Sequence, residues 1–140
     1  MLVLDANILI RAVLGTRVRS LLVRYGGTFP FFAPESAFQE AREHLPAILS
    51  KRRIPIVEGL QVLDSLANIV QPVDSEAYSV FELTPRPRLA RRDVDDWPVL
   101  ATALALRSPI WTEDTDFFGA GVATWTTDRV EMYLKTAPES

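Results

Sequence analysis

Short apolar runs alternate along the chain with longer stretches in which apolar residues recur at helical spacing. The first run, Leu2–Leu4, is unbroken, which is typical of a strand that is covered on both faces of a parallel sheet. Residues 7–14 then show helical spacing, and this stretch stops at Gly15, a residue type that commonly ends helices. A second helix is predicted over residues 17–25, where four large apolar side chains share one face.

The same alternation continues to the end of the chain. Further strands are predicted at residues 28–33, 69–73, 109–112 and 123–126. Further helices are predicted at residues 34–53, 55–66, 74–83, 96–104 and 127–135. Pro30 lacks the donor that a central strand needs, so residues 28–33 are expected at the edge of the sheet or as only partly strand. Pro46 is expected to kink or break the helix that Pro34 opens.

Strands that alternate with helices predict an α/β fold, in which a parallel sheet carries helices on both faces. A length of 140 residues suits one domain, which we place at residues 1–137. Residues 138–140 are expected to form a frayed C-terminal tail. The sequence contains no repeat and no low-complexity segment.

Composition excludes several classes of site. The chain has no cysteine, which excludes disulfides, thiolate zinc sites and a cysteine nucleophile. The single histidine, His44, excludes multi-histidine zinc sites and is expected at the surface or in packing. The net charge of -3 argues against a broadly basic coat for nucleic acid, although a local basic patch is compatible with it.

Neither a membrane span nor a signal peptide is evident from the sequence. The longest apolar runs fall far short of the roughly 18–20 residues that a bilayer requires. The first residues, MLVLDAN, include an acid and no basic residue, unlike a secretory signal. We therefore expect a soluble, intracellular protein of the cytoplasm that does not contact a membrane.

Acidic residues follow the predicted strands or begin the predicted helices. In open parallel sheets, sites form beyond the carboxyl ends of the strands. Asp5 follows the first strand, Glu40 lies about two turns into the helix after the second strand, and Asp114 and Asp116 follow the strand that ends at Thr112. Three more acids precede a predicted helix at the same rim, namely Asp93, Asp95 and Asp96. Four distant segments can therefore bring carboxylates to one rim.

Carboxylates that are brought together stay ionised only if a cation balances their charge. Oxygen ligands suit Mg²⁺ or Mn²⁺, and the scarcity of histidine and cysteine points away from zinc. Such ions activate water and stabilise charge on a phosphate group, so hydrolysis of a phosphodiester is the natural chemistry. Each acid also has a structural alternative: Asp5 and Asp96 as helix caps, residues 114–116 as a polar turn, and Glu40 on a solvated face.

Four stretches resemble the PIN domain, the nuclease fold of VapC-type toxins and related endoribonucleases. These stretches are LVLDANILI, FFAPESAFQEA, RRDVDDWPVLATALAL and IWTEDTDFF, and they occur in the order and spacing of the family. The resemblance spans nearly the whole chain. It implies a three-layer α/β/α sandwich with a mostly parallel sheet and a Mg²⁺- or Mn²⁺-dependent ribonuclease site.

The resemblance also assigns roles to residues. Its acidic catalytic set matches five positions of this chain: Asp5, Glu40, Asp96, Asp114 and Asp116. Of these, Asp5, Asp96 and Asp114 are expected to hold the metal, with Glu40 and Asp116 at a second, weaker position. Asn7 and Thr112 match polar residues that orient the acids. Asp93 stands close to Asp96 and is the alternative ligand, although the helix pattern starts directly after Asp96.

RNA that approaches an acidic site needs cations nearby to receive its backbone. The loop at residues 84–95 supplies four arginines beside Asp96, namely Arg86, Arg88, Arg91 and Arg92. The family resemblance further suggests the toxin of a toxin–antitoxin pair, with a small antitoxin as partner and a homodimer as the working unit.

Two rival functions differ in chemistry. A phosphatase of the haloacid-dehalogenase type or a receiver domain also uses an Asp after the first strand. Such phosphatases need a second Asp two residues later, where this chain has Asn7, and both classes need a lysine after a late strand, which Lys51 and Lys135 do not supply. The other rival is a PIN-like scaffold that binds RNA or protein without cleaving it, and the complete acid set argues against this.

Overall fold

A computed structural model describes residues 1–78, 97–117 and 119–136, without the side chains of Asp116 and Thr136. Five strands lie in these ranges: β1 (Leu2–Leu4), β2 (Phe31–Pro34), β3 (Val70–Val73), β4 (Ile110–Trp111) and β5 (Thr124–Trp125). The same ranges contain seven α-helices: α1 (Ala6–Leu14), α2 (Arg17–Tyr25), α3 (Glu35–Lys51), α4 (Ile56–Leu66), α5 (Ser75–Tyr78), α6 (Trp97–Leu106) and α7 (Thr127–Thr136). None of these helices is long and apolar enough to cross a membrane.

The five strands form one sheet in the order β3-β2-β1-β4-β5, and every neighbouring pair is parallel. This arrangement confirms the predicted α/β fold with a parallel sheet. The central strand, β1, pairs through Leu2 with Phe31 of β2 and through Leu4 with Trp111 of β4. Because all strands run the same way, the residues that follow them meet at one edge of the sheet.

The alternation of side chains along β1 divides the interior into two cores. Leu2 and Leu4 face a larger core, which also includes side chains of α1 to α4 and of α7. Val3 faces the opposite side and packs against the apolar side chains of α6. All three β1 residues are fully buried, as expected for a strand that is covered on both faces. The result is the three-layer α/β/α sandwich that the family resemblance implied.

Of the expectations about prolines, the partial strand at residues 28–33 is confirmed, because β2 begins only at Phe31, whereas the edge position for this segment and a break at Pro46 were wrong. β2 lies inside the sheet, between β3 and β1, because Pro30 precedes the strand and contributes only its carbonyl, which accepts a 3.1 Å hydrogen bond from the Leu2 amide. Pro46 lies inside α3, and the helix continues through it to Lys51. Two prolines do enter strands: Pro34 is the last residue of β2, and Pro72 lies within β3, an edge strand, where a missing donor is tolerated.

Close packing between α3 and α4 depends on Gly59. A methyl group at this position would collide with the two δ-carbons of Leu49, which is fully buried on α3. We expect Gly59→Ala to lower the free energy of unfolding by about 1–3 kcal/mol through overpacking. The gain of about 1 kcal/mol that alanine has over glycine in a helix offsets part of this cost, so the net loss is at most about 2 kcal/mol.

Urea unfolding followed by circular dichroism measures this change. Gln61→Ala is the control, since Gln61 is exposed on the same helix, and we expect it to shift stability by less than about 0.5 kcal/mol. Equal or greater stability for Gly59→Ala than for the parent chain would contradict the packing argument.

Candidate active site

The carboxylate of Asp5 is buried at the carboxyl edge of the sheet, with 5% of the residue exposed. Asp5 follows β1 and is the N-cap of α1, with an extended backbone. Its Oδ1 accepts a hydrogen bond of 3.1 Å from the Ile8 amide, and its Oδ2 accepts one from the Thr112 hydroxyl. Both oxygens are therefore held, and the carboxylate has a fixed orientation.

Thr112 connects Asp5 to the turn that follows β4. Its side chain is fully buried, and its amide donates to the Trp125 carbonyl of β5 at 3.0 Å. The hydroxyl donates its proton to Asp5, so its oxygen is left to accept, and it accepts from the Asp114 amide at 2.9 Å. The Thr112 hydroxyl thus joins the Asp5 carboxylate to the backbone of Asp114.

Burial and like charges act together on Asp5. Burial raises the pKa of Asp5, and the hydrogen bonds from Thr112 and Ile8 oppose this rise. The negative charges of Asp114 and Glu40 also raise it, and the net result is a pKa of about 6 instead of the ordinary 3.8. The carboxylates of Glu40 on α3 and of Asp114 are therefore close enough to Asp5 for repulsion. Asp5, Glu40 and Asp114, which lie in three separate parts of the chain, are therefore near enough for their charges to interact.

The other predicted site residues lie partly outside the described part of the chain. Asn7 is exposed in the first turn of α1. The backbone of Asp116 lies in a 3₁₀ turn, Thr115–Phe117. Outside the described residues lie the alternative ligands Asp93 and Asp96 and the four loop arginines Arg86, Arg88, Arg91 and Arg92. Their roles stay predictions.

The donors around Asp5 fit a hard cation in their chemistry. Asp5, Glu40 and Asp114 offer only carboxylate oxygens, the ligands that Mg²⁺ and Mn²⁺ prefer, and ionisation of the buried Asp5 needs a balancing positive charge. Among residues 1–78, 97–117 and 119–136, no three acidic or histidine side chains are grouped closely enough to hold a metal ion by themselves. His44 is exposed on α3, as expected.

Sequence reasoning missed Glu113, which lies between Thr112 and Asp114. Its Oε1 accepts a hydrogen bond of 2.6 Å from the amide of Thr127, the first residue of α7. A carboxylate at this end of a helix is favoured, because the first amides lack partners and carry partial positive charge. The sequence carried no signal for this contact, because the partner is a backbone amide fourteen residues later.

A comparison with models of protein families supplies the assignment. The model described as PIN domain matches residues 3–135. The chain belongs to the PIN domain family. This confirms the resemblance that the four acid-bearing stretches carried. No curated protein matches the chain by sequence.

Solved structures share the fold of this PIN domain at low sequence identity. A chain in VapBC2 from Rickettsia felis, bound to a promoter DNA fragment, has a TM-score of 0.69 and 14% identity, covering 89% of this chain and 97% of its own. A chain in a toxin-antitoxin complex from Klebsiella pneumoniae has a TM-score of 0.64 and 19% identity, covering 91% and 98%. FitAB bound to a DNA fragment has a TM-score of 0.60 and 20% identity, covering 91% and 95%.

The raised pKa of Asp5 predicts a specific dependence of stability on pH. The folded state holds the Asp5 proton more tightly than the unfolded state, so stability falls as the pH rises from about 4 through about 6. Above that range, the buried charge costs about 3 kcal/mol in the absence of a cation. We expect Asp5→Asn to gain about 2–3 kcal/mol over the parent chain between pH 4 and pH 8.

Urea unfolding in EDTA, carried out at pH 4 and at pH 8, measures this gain in stability. Asp128→Asn is the matched control, because Asp128 is an exposed acid in the first turn of α7. A difference between Asp5→Asn and the parent chain that is the same at pH 4 and pH 8 would show that Asp5 titrates like a solvated acid.

Proposed function

We propose that this PIN domain is an endoribonuclease that uses Mg²⁺ or Mn²⁺ to hydrolyse phosphodiester bonds at the carboxyl edge of its sheet. The observation that carries the proposal is the buried Asp5 carboxylate, which Thr112 fixes and which Asp114 and Glu40 face. Like charges gathered at a buried carboxylate disfavour ionisation unless a cation joins them. If Asp5 served only as the cap of α1, the nearby acids Asp114 and Glu40 would have no role.

In this proposal Asp5, Asp114 and Asp96 hold the cation, and Glu40 with Asp116 provides a second, weaker position. A bound divalent cation would activate water and stabilise negative charge on the phosphate. The Thr112 hydroxyl donates a hydrogen bond to Oδ2 of Asp5, and the Ile8 amide donates one to Oδ1, so these two donors orient the lone pairs that stay open for a cation. Asn7 is a further candidate to orient Asp5.

The proposed substrate is RNA, and the proposed contacts to its backbone are Arg86, Arg88, Arg91 and Arg92. These four arginines lie within seven consecutive residues just before Asp96, so they supply cations beside an acidic site. Arg11 is exposed on α1, the helix that Asp5 caps, and is a further candidate.

We also propose that the protein is the toxin of a toxin–antitoxin pair, with a small antitoxin as partner and a homodimer as the working unit. In support, the structural neighbours include chains of VapBC2 and of a toxin-antitoxin complex. Coexpression with the product of any small reading frame directly upstream tests the partner, and scattering of the purified protein tests the dimer. An absent upstream partner would favour an RNase that acts alone.

The nuclease proposal predicts that cleavage of RNA depends on a divalent cation and on the acids. Asp5→Ala and Asp114→Asn should each lower the cleavage rate by at least about 100-fold, because each removes charge at the reacting centre. EDTA should abolish cleavage, and Mn²⁺ should restore it. The measurement is a gel assay of cleavage with single-stranded RNA under single-turnover conditions.

Glu58→Gln is the matched control for that assay, since Glu58 is exposed in the first turn of α4, and its rate should equal that of the parent chain. Calorimetry with Mn²⁺ separates a nuclease from a scaffold, because a scaffold need not bind the ion. Undiminished cleavage in EDTA, or equal rates for Asp5→Ala and the parent chain, would refute the metal-dependent mechanism. Product ends reveal the nucleophile: water leaves a 5′-phosphate, and a ribose 2′-hydroxyl leaves a cyclic phosphate.

The role proposed for the loop arginines predicts a change in salt dependence. Replacing Arg91 and Arg92 by alanine should weaken RNA binding and reduce the slope of log K against log salt by about 1.4, since each lost phosphate contact contributes about 0.7 for a single strand. Fluorescence anisotropy with a labelled RNA, in Ca²⁺ to suppress cleavage, measures the slope. Lys51→Ala with Arg52→Ala is the control for loss of charge, and an unchanged slope in the loop variant would contradict the contact.

A further inference from the structure

Residues 111–114 present alternate side chains to two different neighbours. Thr112 and Asp114 belong to the hydrogen-bonded group around Asp5. Trp111 and Glu113 face the other way and both bind Thr127, the first residue of α7. The Trp111 indole donates to the Thr127 hydroxyl at 3.1 Å, and the Thr127 amide donates to the Glu113 carboxylate at 2.6 Å.

These two contacts attach the end of β4 and the residue two positions later to one point at the start of α7. Trp111 is fully buried, and only 5% of Thr127 is exposed. The α7 helix is itself anchored, because Val130 and Leu134 are buried in the larger core. Rotation of the backbone at Glu113 would therefore break its bond to the helix and would also turn the two flanking side chains away from Asp5.

We propose that Glu113 is a positioning residue, whose carboxylate binds the N-terminus of α7 and thereby directs Thr112 and Asp114 toward Asp5. The proposal deepens the nuclease function and rests on it for its effect on catalysis. Glu113 itself does not face the acids, so its charge is directed to the helix and is kept out of the candidate metal site. Its effect on that site is transmitted through the backbone on either side.

A simple helix cap is the alternative role for Glu113. A cap would contribute to the stability of α7 and leave the geometry of Asp114 unchanged. The two roles differ in a local observable, the protection of the Asp114 amide, which is bonded to the Thr112 hydroxyl. They also differ in cation affinity, because only a positioning role couples Glu113 to the acids.

The experiment uses two pairs of variants in the full chain. Glu113→Gln keeps an acceptor oxygen for the Thr127 amide, whereas Glu113→Ala removes it. Thr127→Pro removes the amide donor at a first helical position, where proline is well tolerated, and Thr127→Ala is its matched reference because both lack the hydroxyl. Glu58→Ala is the surface control.

Three quantities are measured for each variant: hydrogen exchange at the Asp114 amide, affinity for Mn²⁺ by calorimetry, and kcat and KM for RNA. For Glu113→Ala we expect exchange about tenfold faster, Mn²⁺ affinity about tenfold weaker and a similar fall in kcat with KM unchanged. Glu113→Gln should stay within about threefold of the parent chain. Thr127→Pro should show the Glu113→Ala pattern relative to Thr127→Ala.

The outcomes separate this proposal from the proposed function. If Glu113→Ala lowers only the melting temperature, with unchanged Asp114 exchange and Mn²⁺ affinity, Glu113 is a helix cap and the positioning role is refuted. If the parent chain neither binds Mn²⁺ nor cleaves RNA, the nuclease function fails. Amide exchange at Asp114 still tests the positioning role in that case, because it requires no metal and no substrate.

Discussion

The hydrogen bond from the Thr112 hydroxyl to the Asp5 carboxylate is the constraint on which the candidate site depends. It joins the ends of two neighbouring strands, β1 and β4, at the point where both chains leave the sheet. Asp5 is buried beside two other acids, and both conditions disfavour its charged form. The hydrogen bond from Thr112 favours the charged form, so without it the pKa of Asp5 would be higher. The central position of β1 in the sheet keeps this pair out of bulk water.

The fold was predictable from the sequence because hydrophobic periodicity records burial directly. Leu2–Leu4 is unbroken because both of its faces are covered, and the other strands were located as short stretches between helical ones. The edge position expected for residues 28–33 and the break expected at Pro46 were wrong, because the effect of a proline depends on the contacts around it. Pro46 is flanked by Leu45 and Leu49, and the burial of both side chains outweighs the cost of one missing hydrogen bond in α3.

The candidate site was predictable only in part. Asp5, Glu40 and Asp114 could be predicted because the carboxyl ends of parallel strands and the helices after them share one edge. Glu113 could not, because its partner is a backbone amide fourteen residues later, and no pattern in the sequence announces that contact. The sequence analysis assigned Glu113 no role, whereas its carboxylate accepts a hydrogen bond at the start of α7.

Asp5 caps α1 and is also an acid of the candidate site, so in the proposed function one side chain would serve both folding and chemistry. A substitution of Asp5 would consequently change the candidate site and the start of α1 together. If the acid at this position were lost, asparagine or serine would replace it at less cost to the helix than alanine or leucine, since a short polar group still accepts the Ile8 amide. The helix cap therefore limits which replacements of Asp5 leave the fold stable.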